Sequence, residues 1–403
     1  MSENASNELT VGQRFFRELT TGGTALTLLS ILLAMLIGAV LIVVSDPDVQ
    51  GTAAYFFSRP TDTLLAIWES ASSAYSAMFA GAIIDFDAAS VGDALIPLAD
   101  TLTYATPLIG AGLAVALAFR AGLLNIGAQG QILIGATLAG LVGFGMDLPA
   151  VVHIGFAVLA GFLGGAIWGG IAGFIKAKTG AHEVIVTIML NHIAALLLAY
   201  LLTTQLFRRE GQAAPISPFV ADSAALPRFF DGSRLHLGLF VVLLAAVYSW
   251  WLLSRSTMGF RFKAVGHNPH AATTAGISVG RSYTAVMFIG GGLAGIAGAS
   301  QVLGTESYLS TSIAGELGFD AITVALLGRS SPIGTVAASL LFGALRAGAV
   351  TMQAQTGTPI DIVLVVQSLI VLFIAAPPLV RAVFRIKVRA ASPMAAEVGG
   401  KAA

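Results

Sequence analysis

The sequence predicts an all-α integral membrane protein of about ten transmembrane helices with an inverted-repeat core, and three observations carry that prediction. The 403-residue chain is 56% hydrophobic and only 10% charged, whereas soluble domains carry roughly 25% charged residues. Its mean hydropathy is +0.85. Its apolar runs recur at the length of about 20 residues that a helix needs to cross a hydrocarbon core of about 30 Å.

Taken in order, residues 1–23 read as a tail bearing Arg14 and Arg17, and 24–45 as the first span. No small-residue cleavage site closes that span, so it reads as retained rather than as a removed signal peptide. Residues 46–99 read as an extracytoplasmic segment, rich in Ser, Ala and Asp, with amphipathic stretches around Trp68 and Phe79. The membrane core, 100–380, holds spans near 100–120, 129–146, 149–176, 183–207, 237–253, 282–303, 333–352 and 360–380. A further apolar run, 319–327, is too short to cross alone and reads as half of a broken helix. Residues 381–403 form a second tail.

All five lysines, Lys176, Lys178, Lys263, Lys387 and Lys401, fall on the side of the Arg14/Arg17 tail. The positive-inside rule makes that side cytoplasmic, with both termini there. The segment 208–236 then lies outside despite Arg208, Arg209, Arg228 and Arg234; its acids, Glu210, Asp222 and Asp231, count for little in that rule.

Zero cysteines exclude disulfides and thiolate chemistry, and six scattered histidines show no metal-ligand spacing, so no metal site is expected. Neither are catalytic residues. No GxxxxGK[ST] phosphate loop occurs, so any ATP hydrolysis must lie in another chain. A net charge of zero without a basic tract gives no sign of nucleic-acid binding.

Gly161, Gly165, Gly169 and Gly173 recur every fourth residue and form a flat stripe for close helix packing. "GGIAGF" (169–174) followed by "EVIVTIML" (183–190) echoes "AGIAGA" (294–299) followed by "FDAITVALL" (319–327), an inverted repeat whose copies begin three spans apart. "LLNIGAQGQILIG" (123–135) sets Asn125, Gln129 and Gln131 between apolar helices. With Asn191 these are candidate translocation-pathway residues, either lining a path for a neutral solute or acting as hydrogen-bond glue. Glu183 and Asp320 each open an apolar helix, where a carboxylate complements the helix dipole. His192 reads as a packing residue.

The stretch "AVGHNPHAATTAGISVG" (264–280) interrupts this pattern. Asn268 suits an N-cap, Pro269 the first helical position, and Gly276 a left-handed stop, which spells a helix of about two turns. It has no apolar face for lipid and is too short to stand alone in water, so it needs a docking partner. Its loop, 255–281, is far longer than a simple connector and carries Arg255, Arg261, Lys263 and Arg281.

With "ATPLIGAGLAVALAFRAGLLNIGAQGQILIGA", "EVIVTIMLNHIA", "AVGHNPHAATTAGISV" and "GFDAITVALLGRSSPIG" in order over 101–378, the chain resembles permease subunits of ATP-binding cassette importers of the branched-chain amino acid and simple-sugar superfamily, the nucleoside permeases most closely. The resemblance implies a type II importer-like core in the bacterial cytoplasmic membrane. It also implies a coupling helix at 266–276 that docks on the ATPase, with that role on Gly266, His267, Asn268, Pro269, Ala272 and Gly276. His267 departs from the acid common in the family. The implied partners are a cytoplasmic ATPase that uses ATP and Mg, a second and different permease, and an extracytoplasmic solute-binding lipoprotein; no cofactor is expected on this chain. Simple sugars such as ribose or galactose are the alternative solutes, and an ion-coupled secondary transporter or a membrane scaffold the alternative classes.

Overall fold

The computed structural model describes residues 23–384 except Asp231; the tails, with Arg14, Arg17, Lys387 and Lys401, lie outside the described residues. The helices are α1 (Gly23–Ser45), α2 (Pro47–Ala53), α3 (Pro60–Ala82), α4 (Val91–Ala94), α5 (Ile96–Arg120), α6 (Ala128–Gly145), α7 (Ala150–Thr179) and α8 (Glu183–Leu201). They continue with α9 (Gly238–Arg255), α10 (Thr257–His267), α11 (Pro269–Thr274), α12 (Val279–Ser300, extended by a π turn over Gln301–Thr305), α13 (Leu317–Leu327), α14 (Pro332–Thr356), α15 (Asp361–Ala375) and α16 (Pro377–Val383). Among the described residues no strand forms; Arg228 and His236 make one isolated bridge. Eight helices are long and apolar enough to span a membrane, and α13 and α15 are shorter apolar helices. Together these are the ten apolar segments the sequence predicts.

The chain divides into two compact units, residues 41–364 and residues 1–40 with 365–403. In the smaller unit, Leu28, Leu32 and Leu36 are exposed at every fourth position of α1, a stripe suited to lipid.

In the larger unit, α7 and α12 cross in an antiparallel pair. A Cβ at Gly161, Gly165, Gly169 or Gly173 would collide with the backbone or side chains of 284–299, and one at Gly291 or Gly295 with the carbonyl of Gly165 or Gly161. Backbone meets backbone, which only glycine allows. The two Gly-rich motifs that look like repeat copies in sequence are therefore the two sides of one interface. They resemble each other because both must be flat.

The element order of the core also falls into two similar halves. In one half, α5 leads into the non-helical segment 121–127, then α6, then α7. In the other, α12 with its π turn leads into the non-helical segment 306–316, then α13, then α14. The long third helix of each half packs on the first helix of the other, α7 on α12 and α14 on α5.

The segment 46–99 is mostly helix rather than an irregular cap. The helix α3 sets its small residues Ser70, Ala74, Ala77 and Gly81 inward and packs along α14, with Gly81 against Thr351 and Gly348 against Met78. Its sequence hides this because Leu64, Leu65 and Trp68 on the other face stay exposed. The loop 255–281 is likewise helical, since Ser256 caps α10 by accepting from Gly259 N at 2.9 Å.

The segment 208–236 is sewn to 303–309 through Ser217 and Leu309, Val220 and Ser307, and Leu226 and Leu303. His236 closes this seam. It is 1% exposed, its Nδ1 accepts from Gly238 N at 3.1 Å, and Nε2, which must then carry the proton of a neutral ring, lies 3.2 Å from Thr305 Oγ1. Burial, helped by the Arg228 charge, pulls its pKa down to about 4 from 6.5.

Two predictions follow from this packing. Gly165→Leu should cost more than the ~1–3 kcal/mol usual for overpacking, whereas Gly155→Leu on the same helix, where nothing lies within 4 Å, should stay folded; thermal melts in detergent compare them. Because folded His236 stays neutral while the unfolded chain takes up a proton, its contribution should fade as pH falls from 6.5 towards 4. At roughly 1.4 kcal/mol per unit the loss approaches ~3 kcal/mol. The stability gap between wild type and His236→Gln should narrow over that window and stay constant above it.

Candidate functional site

The two non-helical segments converge on one cavity. It occupies about 470 Å³ and is walled by Gln129 and Leu133 of α6, Ile188, Asn191 and His192 of α8, Thr311, Ser312 and Gly315 of the second segment, and Phe319 of α13. Non-helical backbone in an apolar bundle survives only where protein or a cavity satisfies its polar groups, and the amides do that here. Asn125 and Gln131, 0% and 1% exposed, exchange both amide bonds at 3.2 Å, while Asn125 Oδ1 also accepts from Gly127 N at 3.0 Å. Asn191 accepts from Gly130 N at 2.8 Å and donates to Ile126 O at 2.9 Å. Gln129 donates to Gly315 O at 2.6 Å and accepts from Gly318 N at 2.8 Å.

Of the four candidate pathway amides, Gln129 and Asn191 border the cavity, whereas Asn125 and Gln131 are sealed into each other behind it. All four have their hydrogen bonds committed to protein. The groups left facing the space are His192, Thr311 and Ser312, with the half-exposed Phe319 ring as a wall. Composition could not single these out, because one His, a Thr-Ser pair and a Phe carry no spacing signal. The lining has no Asp, Glu, Lys or Arg.

Glu183 does more than open α8. Its carboxylate pairs with Lys176 Nζ at 2.9 Å, and Leu124 N donates to it at 3.5 Å, so it pins the start of segment 121–127 to the α7–α8 turn. Asp320 lies in the first turn of α13.

The loop helix follows its predicted chemistry. Asn268 accepts from Ala271 N at 3.1 Å, Pro269 takes the first position, and Gly276 adopts φ +78. Two residues expected on its partner-facing side lie elsewhere. Ala272 is 3% exposed, turned into its own chain. Gly266 packs its backbone on Arg120–Gly122, leaving no room for a Cβ. His267 is exposed, with Nδ1 2.8 Å from Lys263 O. The outward surface is Pro269, His270, Ala271, Thr273 and Thr274.

Arg120, at the same place, donates from Nε to Ser330 O at 2.8 Å and from Nη2 to Arg329 O at 3.3 Å. Arg329 and Ser330 hold φ of 52 and 51, a conformation costing roughly 1–3 kcal/mol per non-glycine residue. The arginine clamps a strained turn between α13 and α14.

Residues 98–375 match the family of branched-chain amino acid transport system permease components. The chain belongs to this family. It is 43% identical to a guanosine ABC transporter permease protein of Bacillus subtilis, over 70% of this chain and 82% of the relative. It is 35% identical to a nucleoside ABC transporter permease protein of Lactococcus lactis (69% and 79%) and 34% identical to a glucose ABC transporter permease protein of Haloferax volcanii (69% and 75%). No solved structure matches. The permease is a multi-pass membrane protein.

Asn191→Ala should orphan the Gly130 N–H and the Ile126 carbonyl, at about 1–3 kcal/mol for each buried group, whereas His192→Ala should change stability by less than ~0.5 kcal/mol. Denaturation of the two variants in detergent checks the contrast.

Proposed function

We propose that this chain is the membrane subunit of an ATP-driven importer and that its solute is a nucleoside. The observation that carries the solute is the cavity. An uncharged lining suits a neutral molecule, an aromatic wall suits a flat base, and imidazole and hydroxyl edges suit its polar rim and sugar hydroxyls. The guanosine and nucleoside permeases among its relatives support the same solute.

The partners are a cytoplasmic ATPase that uses ATP and Mg, a second permease and a solute-binding lipoprotein. The loop 255–281 faces the cytoplasm of a bacterium, as do both termini, and the outward face of α11 docks on the ATPase. A simple-sugar solute is the second reading, favoured by the glucose permease relative. An ion-coupled mechanism is disfavoured because such transporters bury ionisable residues along the path, and the lining has no carboxylate or ammonium.

In proteoliposomes holding the full complex, ATP should drive uptake of labelled guanosine that unlabelled adenosine inhibits and ribose and galactose do not. Accumulation of sugar alone would overturn the solute, and uptake by this chain alone on a proton or sodium gradient would overturn the ATP requirement. For docking, Ala271→Glu with Thr274→Glu should leave a folded chain that no longer co-purifies with the ATPase. Retained co-purification and uptake would refute that surface.

A further inference from the structure

Next to α11, a groove runs from the end of the bundle up its side. Two adjoining cavities of about 280 and 700 Å³ share Met258 and Arg281 in their walls. Lys178 ends α7, Arg261 stands on α10, and Arg281 lies in the first turn of α12. Among the described residues none of the three forms an ion pair with a carboxylate, and the stretch 255–281 contains no acid at all. The neighbouring Lys176, by contrast, is taken by Glu183.

The groove changes character along its length. Phe174 lies four residues before Lys178 and Phe288 seven residues after Arg281, so they sit about 6 and 10 Å deeper along helices that rise about 1.5 Å per residue. Both rings and Met258 are substantially exposed, at 54%, 36% and 37%. The level of the cations is marked independently by α9, whose last two turns expose Tyr248, Trp250 and Trp251 before Arg255. Aromatic side chains of this kind gather at the headgroup layer.

We infer that this groove binds an anionic glycerophospholipid of the leaflet on the loop side. Its phosphate sits among Lys178, Arg261 and Arg281, and its acyl chains lie over Phe174, Met258 and Phe288. Three cations without a counter-anion select a headgroup with net negative charge over a zwitterionic one. Basic pockets between spans bind acidic headgroups for this reason. The bound lipid would tie α7, α10 and α12 together beside the docking helix.

The test uses the purified full chain in detergent, titrated with phosphatidylglycerol or phosphatidylcholine and read by native mass spectrometry. The expected result is one phosphatidylglycerol retained in preference to phosphatidylcholine. Lys178→Gln, Arg261→Gln and Arg281→Gln together should weaken it by on the order of 100-fold, roughly fivefold per cation. Arg261→Lys with Arg281→Lys should keep it, as should neutralising Arg208, Arg228 and Arg234 at the other end of the bundle. Equal retention of both lipids, or wild-type binding by the triple variant, would overturn the inference. So would displacement of the lipid by equimolar glycerol phosphate, which would make this a free-phosphate site. Loss of ATPase co-purification with lipid binding unchanged would assign the cations to a protein partner instead.

Discussion

The fold rests on the contact between α7 and α12. Lipid tails are as apolar as leucine, so hydrophobicity does not drive one span onto another, and packing and hydrogen bonds must do it. The glycines at 161, 165 and 169 meet those at 291 and 295 at backbone distance, and Gly173 meets the backbone of Tyr283 and Thr284, which brings many weak dispersion contacts and carbonyl contacts into range at once. A single larger side chain would lever the two halves apart.

That contact makes the rest affordable in structural terms, because two stretches of the core, 121–127 and 306–316, are not helical. Each such stretch leaves peptide groups without partners inside an apolar body, and side-chain amides answer them. Asn125, Gln129 and Asn191 all bond peptide groups this way, and Gln131 holds the Asn125 amide in place. The cavity is the space where the two segments and the helices they open fail to fill the bundle, and the polar groups facing it, His192, Thr311 and Ser312, are neighbours of the amides.

The apolar spans were legible because a membrane demands a length and a hydropathy that few other structures share. The loop helix α11 was legible through its cap chemistry, since Asn268, Pro269 and Gly276 each answer a distinct backbone need. Three features were not. The helix α3 has small residues on the side packed on α14 and large apolar ones outside, so its pattern reads as a surface segment. The contact between the two Gly-rich motifs was hidden, because the flatness that makes α7 and α12 partners also gives them similar sequences. Ala272 and Gly266 sit in the most recognisable motif, but spacing alone does not tell which side of a six-residue helix turns outward.

The position of Arg120 shows how a short helix at the end of the bundle can reach the cavity. The backbone of Gly266, just ahead of α11, rests on Arg120–Gly122, where segment 121–127 begins its rise to α6. The guanidinium of the same Arg120 holds the turn that follows α13. A displacement of Gly266 would therefore bear on both halves, through 121–127 on α6 and through the Arg329–Ser330 turn on α13. Those two helices meet again where Gln129 bonds Gly315 and Gly318, at the edge of the cavity. These contacts form a continuous path from the end of α10 to that edge.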